Sequence, residues 1–95
     1  MRKLKEIKLP VTELLAGLAE ECCELGQAAL KLRRFYDQSN PTPIDEIKAT
    51  EDFYEEIADV SLYLDQIDFP MSYVSEIKKA KLNRWKDRLG QEVGS

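Results

Sequence analysis

The stretch VTELLAGLAEECCELGQAALKLRRFY, residues 11–36, decides the fold. Its apolar residues Val11, Leu14, Leu18, Cys22, Leu25, Ala29, Leu32 and Tyr36 recur at steps of three and four, the spacing that lines up side chains along one stripe of an α-helix. It predicts a first helix over the whole stretch. Gly26 interrupts that helix at roughly 1 kcal/mol relative to alanine, which leaves two readings open: a close approach by another helix, or a tolerated glycine. Cys22 and Cys23 are the only cysteines. Neighbours on a helix point about 100° apart, so a bridge between them would distort it, and they read as small, partly buried apolar fillers.

On the C-terminal side, Asp-Gln-Ser-Asn-Pro-Thr-Pro (residues 37–43) clusters turn formers and reads as the main loop. Thr42 is the expected N-cap of a second helix, with Pro43 in its first position and Asp45 completing a weak capping box. That helix is expected to run to about Asp68. Its apolar stripe is Ile47, Tyr54, Ile57, Ser61 and Leu64, with Phe53, Val60 and Ile67 beside it. Phe69-Pro70 ends it, because the residue before a proline disfavours the α region. A third helix follows to about Leu89, apolar through Val74, Ile77, Leu82, Trp85 and Leu89 and otherwise crowded with Lys78, Lys79, Lys81, Arg84, Lys86 and Arg88. Residues 90–95 read as a frayed tail. The expected fold is all-α, an antiparallel helical bundle of three to four helices in one domain with its core over about residues 12–89.

A single domain of 95 residues buries only around 60 to 65% of its unfolded surface. Its core is therefore expected to be thin and to be completed by oligomerisation, as a homodimer or homotetramer. With 43% hydrophobic and 34% charged residues it reads as folded rather than disordered. No apolar run approaches the roughly 18 residues that span a bilayer, and no signal-peptide core follows the charged start, so a cytoplasmic protein without a membrane partner is expected. The net charge of −4 weighs against nucleic acid, whose phosphates are held mainly by excess Lys and Arg. An anionic substrate would need a cation. The absence of histidine removes His-type zinc sites, Ser-His and Cys-His nucleophile pairs, and the Glu-x-x-His element of di-iron bundles.

Two acidic clusters stand out, Glu20-Glu21-Cys22-Cys23-Glu24 and Glu56-Ile57-Ala58-Asp59. Residues three or four apart share a helix face, so Glu20 and Glu21 sit with Glu24, and Glu56 with Asp59, as like-charge pairs. In a hairpin turning near Ser39–Pro41, Glu24 lies about 16 residues before the turn and Glu56 about 15 after it. The clusters then face each other at matching depth, each in an apolar context. A hard dication, magnesium or manganese, accepts such oxygen ligands and offsets the repulsion between them. With 18 acidic residues in the chain, one such cluster alone is an ordinary surface feature.

Taken together, the clusters resemble the motif of the MazG-like, all-α nucleoside triphosphate pyrophosphohydrolases, Glu-Glu-x-x-Glu followed after a spacer by Glu-x-x-Asp. The matching residues are Glu20, Glu21 and Glu24, then Glu56 and Asp59, with 31 residues between Glu24 and Glu56. Tyr63, four residues beyond Asp59, and Lys79 with Asn83 in the last helix resemble further family elements, and the resemblance covers about residues 12–88. The chain departs from the family's frequent glycine near the first motif, having Cys22-Cys23 there. The resemblance implies Mg2+, with Mn2+ as a substitute, held by Glu21, Glu24, Glu56 and Asp59. Glu20 is implied as a further ligand or as the base that orients water, with Glu24 also catalytic. Tyr63, Lys79 and Asn83 are implied as phosphate or sugar contacts, and Arg84 is a further candidate for phosphate charge. The implied reaction hydrolyses a (d)NTP to the monophosphate and pyrophosphate. A non-catalytic helical interaction protein with a vestigial acidic site is the alternative.

Overall fold

The structure, a computed structural model, describes residues 8–39 and 45–90. Among them the chain is all-helical, with no strand: α1 spans Val11–Tyr36, α2 Glu46–Gln66 and α3 Met71–Arg88. The bounds of α1 coincide with the periodic stretch read from the sequence. Pro10 precedes it, and its carbonyl accepts from the Glu13 and Leu14 amides at 3.0 and 3.1 Å.

The end of α1 is built by backbone rather than by a glycine. Gln38 takes a positive φ of 59°, its amide reaches the Phe35 carbonyl and the Ser39 amide reaches the Arg34 carbonyl. This is the paired closure of a Schellman turn, which satisfies the last free carbonyls. Asp37 supports it by accepting from the Ser39 amide at 3.0 Å and from the Ser39 hydroxyl at 2.6 Å.

The start of α2 corrects the expected cap. Thr42 and Pro43 lie outside the described residues, and the helix begins at Glu46 with Asp45 as its N-cap. Asp45 Oδ1 accepts from the Ile47 amide at 3.0 Å and the Lys48 amide at 3.4 Å. An aspartate meets the free amides with a full negative charge at the positive end of the helix, which a threonine hydroxyl does not offer.

Helices α1 and α2 pack against each other as an antiparallel hairpin. Early α1 meets late α2 where Gly17 lies under the Tyr63 ring, the middles meet at Glu21, Glu56 and Asp59, and late α1 meets early α2 where the Tyr36 hydroxyl donates to Glu46 Oε2 at 3.1 Å. The seam is made of the α1 face carrying Leu14, Gly17, Leu18, Glu21, Leu25, Ala28 and Leu32 and the α2 face carrying Ala49, Phe53, Glu56, Asp59, Val60 and Tyr63. Leu14 and Ala49, 5% and 2% exposed, are its only buried members among the described residues.

That seam separates the two apolar sets of α2 and overturns one expectation, the burial of the cysteines. The stripe Ile47, Tyr54, Ile57 and Leu64 points away from α1, with Ile47 71% and Tyr54 63% exposed. The flanking set Phe53, Val60 and Ile67 packs inward instead. Gly17, Ala28 and Ala49 let the two backbones come close beside the larger side chains of the seam, Phe53 and Tyr63 among them. Cys22 and Cys23 are free and exposed rather than partly buried fillers, because the turn that carries them presents Glu21, not its cysteines, to α2.

The third helix does not join the seam. Among the described residues α3 packs against neither α1 nor α2 and holds no buried residue. The chain is correspondingly extended, with a radius of gyration of 17.0 Å, where a compact domain of this length has about 12 Å.

Candidate metal centre

The seam that buries Leu14 and Ala49 also holds carboxylates. Glu21 occupies the middle of α1, and Glu56 and Asp59 lie one turn apart on the facing side of α2, all three half-buried. One oxygen from each lies within 4.8 Å of the other two. Among the described residues no other three acidic or cysteine side chains converge in this way.

Glu56 is the strained member of the group. Its Oε2 atom is shut off from solvent and has no hydrogen-bond partner, an arrangement that leaves the desolvation of a carboxylate oxygen uncompensated. Burial of its carboxyl, a carboxyl-to-carboxyl approach by Glu21 and the charges of Asp59, Glu21 and Glu24 all push Glu56 above the usual glutamate range. Among the described residues, the groups that act on this carboxylate are burial and the neighbouring carboxylates Glu21, Asp59 and Glu24. A divalent cation fits this donor set: all the candidate ligands are hard oxygens, and one points inward without a partner.

The other residues read from the sequence fall into three groups. Glu24 is exposed on the flank of α1, near enough for its charge to act on Glu56, but it is not part of the converging trio. Glu20 is exposed on the same helix and also lies outside the trio. Tyr63 sits one turn beyond Asp59 with its ring laid against α1 at Gly17, so tightly that a Cβ there would collide with the ring carbons and the hydroxyl. Lys79, Asn83 and Arg84 are carried by α3, which packs against neither hairpin helix. Lys79 and Arg84 are exposed and Asn83 half-buried. Within one chain, therefore, the hairpin assembles the carboxylates and does not bring the α3 residues to them.

Gly17 is the positioning residue that the sequence analysis passed over. The glycine weighed there, Gly26, has open space where a Cβ would go and is the tolerated one. Gly17 lies one turn before Glu21, and the ring it admits belongs to the residue one turn after Asp59. The close approach therefore sits directly beside the carboxylates, and it fixes the register in which Glu21 meets Glu56 and Asp59. A glycine one turn ahead of an acidic pair was the available signal.

Compared with protein families, curated proteins and solved structures, the chain matches none.

Proposed function

We propose that this chain is a magnesium-dependent nucleoside triphosphate pyrophosphohydrolase that converts a (d)NTP to the monophosphate and pyrophosphate, with a role in clearing the nucleotide pool. The observation that carries the proposal is the convergence of Glu21, Glu56 and Asp59 inside a helix seam, with the Glu56 Oε2 atom buried and unpartnered. Like charges drawn into such a seam destabilise it unless a cation offsets them. The resemblance of the two clusters to the MazG-like motif then selects the chemistry.

In this reading Glu21, Glu56 and Asp59 hold Mg2+, or Mn2+ in its place, with Glu24 completing the set from the flank of α1. The bound ion supplies positive charge that polarises a phosphate anhydride and offsets the repulsion between substrate and an acidic protein. Glu20 and Glu24, both exposed on α1, accept a proton from water or orient it for in-line attack. Tyr63 packs on Gly17 one turn beyond Asp59 and is the candidate contact for phosphate or sugar. Lys79, Asn83 and Arg84 bind the released or transferred phosphates, which requires α3 of some copy of the chain to approach the hairpin. We place the protein in the cytoplasm as a homodimer or homotetramer. No helix among the described residues is long and apolar enough to cross a membrane.

The test is to incubate the purified protein with Mg2+ or Mn2+ and a panel of NTPs and dNTPs, separating the products. Monophosphate with pyrophosphate is the expected pair. Diphosphate with orthophosphate would move the attack to another phosphorus, and no product from any nucleotide would sink the enzyme reading. One observation favours a second reading, a non-catalytic helical interaction protein with a vestigial site: most large apolar side chains lie on outer surfaces rather than in the seam. Divalent-cation binding without any turnover would select it.

A further inference from the structure

Helix α1 is weakest in its middle. Cys22, Cys23 and Gly26 stand close together there, and all three are poorer helix formers than the alanines and leucines around them. All three are exposed, and among the described residues a Cβ on Gly26 would meet nothing within 4 Å. The seam gives this stretch little support from inside. Its buried side chains, Leu14 and Ala49, lie about two turns away along their helices, and what it holds here is the carboxylate trio. Glu21 directly precedes the cysteines and meets Glu56 and Asp59, and the buried Glu56 Oε2 has no hydrogen-bond partner among the described residues.

Both thiols are free. They do not join while the helix stands, because consecutive Cα atoms are about 3.8 Å apart, less than the roughly 4.4 Å that a disulfide ordinarily needs, and their side chains diverge by about 100°. Closing a bond between them therefore takes residues 22 and 23 out of helical dihedrals. The turn that is lost is the one that carries Glu21 and Glu24.

We propose that Cys22 and Cys23 form a reversible vicinal disulfide that unwinds this turn of α1 and draws Glu21 away from Glu56 and Asp59, so that the disulfide and a bound divalent cation exclude each other. The oxidant is a small-molecule disulfide. The thiolate of one cysteine attacks it, forming a mixed disulfide and releasing one small thiol; the second cysteine then attacks the sulfur of the first and releases the other. Two electrons pass from the cysteines to the small disulfide, and the two cysteine protons leave on the two small thiols. Because the cation needs the turn that the disulfide breaks, each weakens the other by the same factor. The coupling rests on the cation reading of the trio and not on nucleotide hydrolysis.

The full chain is equilibrated in buffers of 2-mercaptoethanol and its disulfide, which are uncharged and do not compete for the carboxylates. Intact mass, far-ultraviolet circular dichroism and calorimetric titration with Mg2+ are then read. Magnesium prefers oxygen to sulfur ligands, so it reports on the carboxylates alone. The expected product is two hydrogens lighter than the reduced chain, has lost about one turn of helix and binds Mg2+ at least about tenfold more weakly. Saturating Mg2+ is expected to shift the thiol-to-disulfide ratio at half-oxidation by a similar factor, and excess reductant to restore helix and affinity together. Cys22→Ser and Cys23→Ser each keep one thiol and are expected to stop at a mixed disulfide with helix and Mg2+ affinity retained.

A chain that carries two mercaptoethanol groups, or a bond between copies, in place of the internal disulfide overturns the proposal. So does an internal disulfide that leaves helicity unchanged, or single variants that lose Mg2+ affinity as the parent does. An oxidised chain that binds Mg2+ as well as the reduced one overturns the coupling and leaves the cation reading standing. A reduced chain that does not take up Mg2+ overturns both.

Discussion

Helix α2 has two faces built on opposite rules. The face turned to α1 holds Glu56 and Asp59 among Ala49, Phe53, Val60 and Tyr63, while Ile47, Tyr54, Ile57 and Leu64 are exposed. In an ordinary amphipathic helix the carboxylates would be outside and the isoleucines inside. The inversion shows what each face answers to. The inner face carries acids that a cation would offset, and the outer face leaves its larger apolar side chains exposed.

The largest expected effect comes from neutralising the inner face. Glu56→Gln keeps the volume and removes the charge that the seam least tolerates, so turnover is expected to fall at least a hundredfold, in line with loss of a metal ligand or its charge. The metal-free variant is expected to melt at a higher temperature than the metal-free parent, because burial and three neighbouring carboxylates disfavour the Glu56 charge. Pyrophosphate release and thermal melting with and without Mg2+ check both halves. Unchanged turnover would detach Glu56 from the chemistry, and a lower melting temperature would deny that the seam is strained.

The close approach is the next part of the inner face to break. Gly17→Ala places a methyl group inside the Tyr63 ring, and one side must move, at about 1 to 3 kcal/mol as for other overpacked cores. Urea denaturation would read this, and Gly26→Ala is the control. That change meets open space and is expected to stabilise α1 by a few tenths of a kcal/mol up to about 1. Equal effects at the two glycines would mean that Gly17 has no special place in the seam.

Titration separates the seam from the solvent-facing turn by sign. Glu56 is raised in the folded chain, so the folded state holds its proton longer than the unfolded state does. Its contribution favours folding below the unfolded glutamate value and is lost as pH rises through the raised value. Asp37 is lowered by its hydrogen bonds from Ser39, so its contribution is present above the ordinary aspartate value and lost as pH falls through the lowered one. The metal-free protein is therefore expected to gain stability on mild acidification from neutral pH and to lose it again in strong acid. Saturating Mg2+ is expected to cancel the first arm and leave the second. Denaturation midpoints across pH, with and without Mg2+, check it.

The helices were legible because their signals are local. Periodicity over residues 11–36 and the Phe69-Pro70 break need nothing beyond their own neighbours, and the depth at which the two acidic clusters meet follows from counting along a hairpin. Which face of α2 turns inward followed from the facing of the acidic clusters and not from its apolar stripe. Ile47, Tyr54 and Ile57 form the more apolar stripe, and the rule that apolar residues face the core assumes that the core lies within the chain. Here the seam followed the small residues Gly17 and Ala49 instead. For the same reason Cys22, counted on the inward stripe of α1, is exposed while Glu21 is not. Lys79 and Asn83 entered the site through the family resemblance and Arg84 as a candidate for phosphate charge, but their distance from the carboxylates depends on how α3 is placed, which the pattern of one helix does not encode.

Smaller effects are expected at the ends of the hairpin, where caps rather than faces decide. Asp45→Ala removes the acceptor for the Ile47 and Lys48 amides and should cost about 1 kcal/mol. At the other end of the loop, Gln38 holds a left-handed conformation that costs an L-residue roughly 1 kcal/mol or more, in a turn where Gly90 does the same work after α3 with a φ of 71°. Gln38→Gly relieves that strain but adds backbone freedom to the unfolded chain. The net gain is expected to be up to about 1 kcal/mol, read as a rise in the urea midpoint at constant slope. A loss of stability instead would mean that the Gln38 side chain, and not only its backbone, ties the end of α1 to its surroundings.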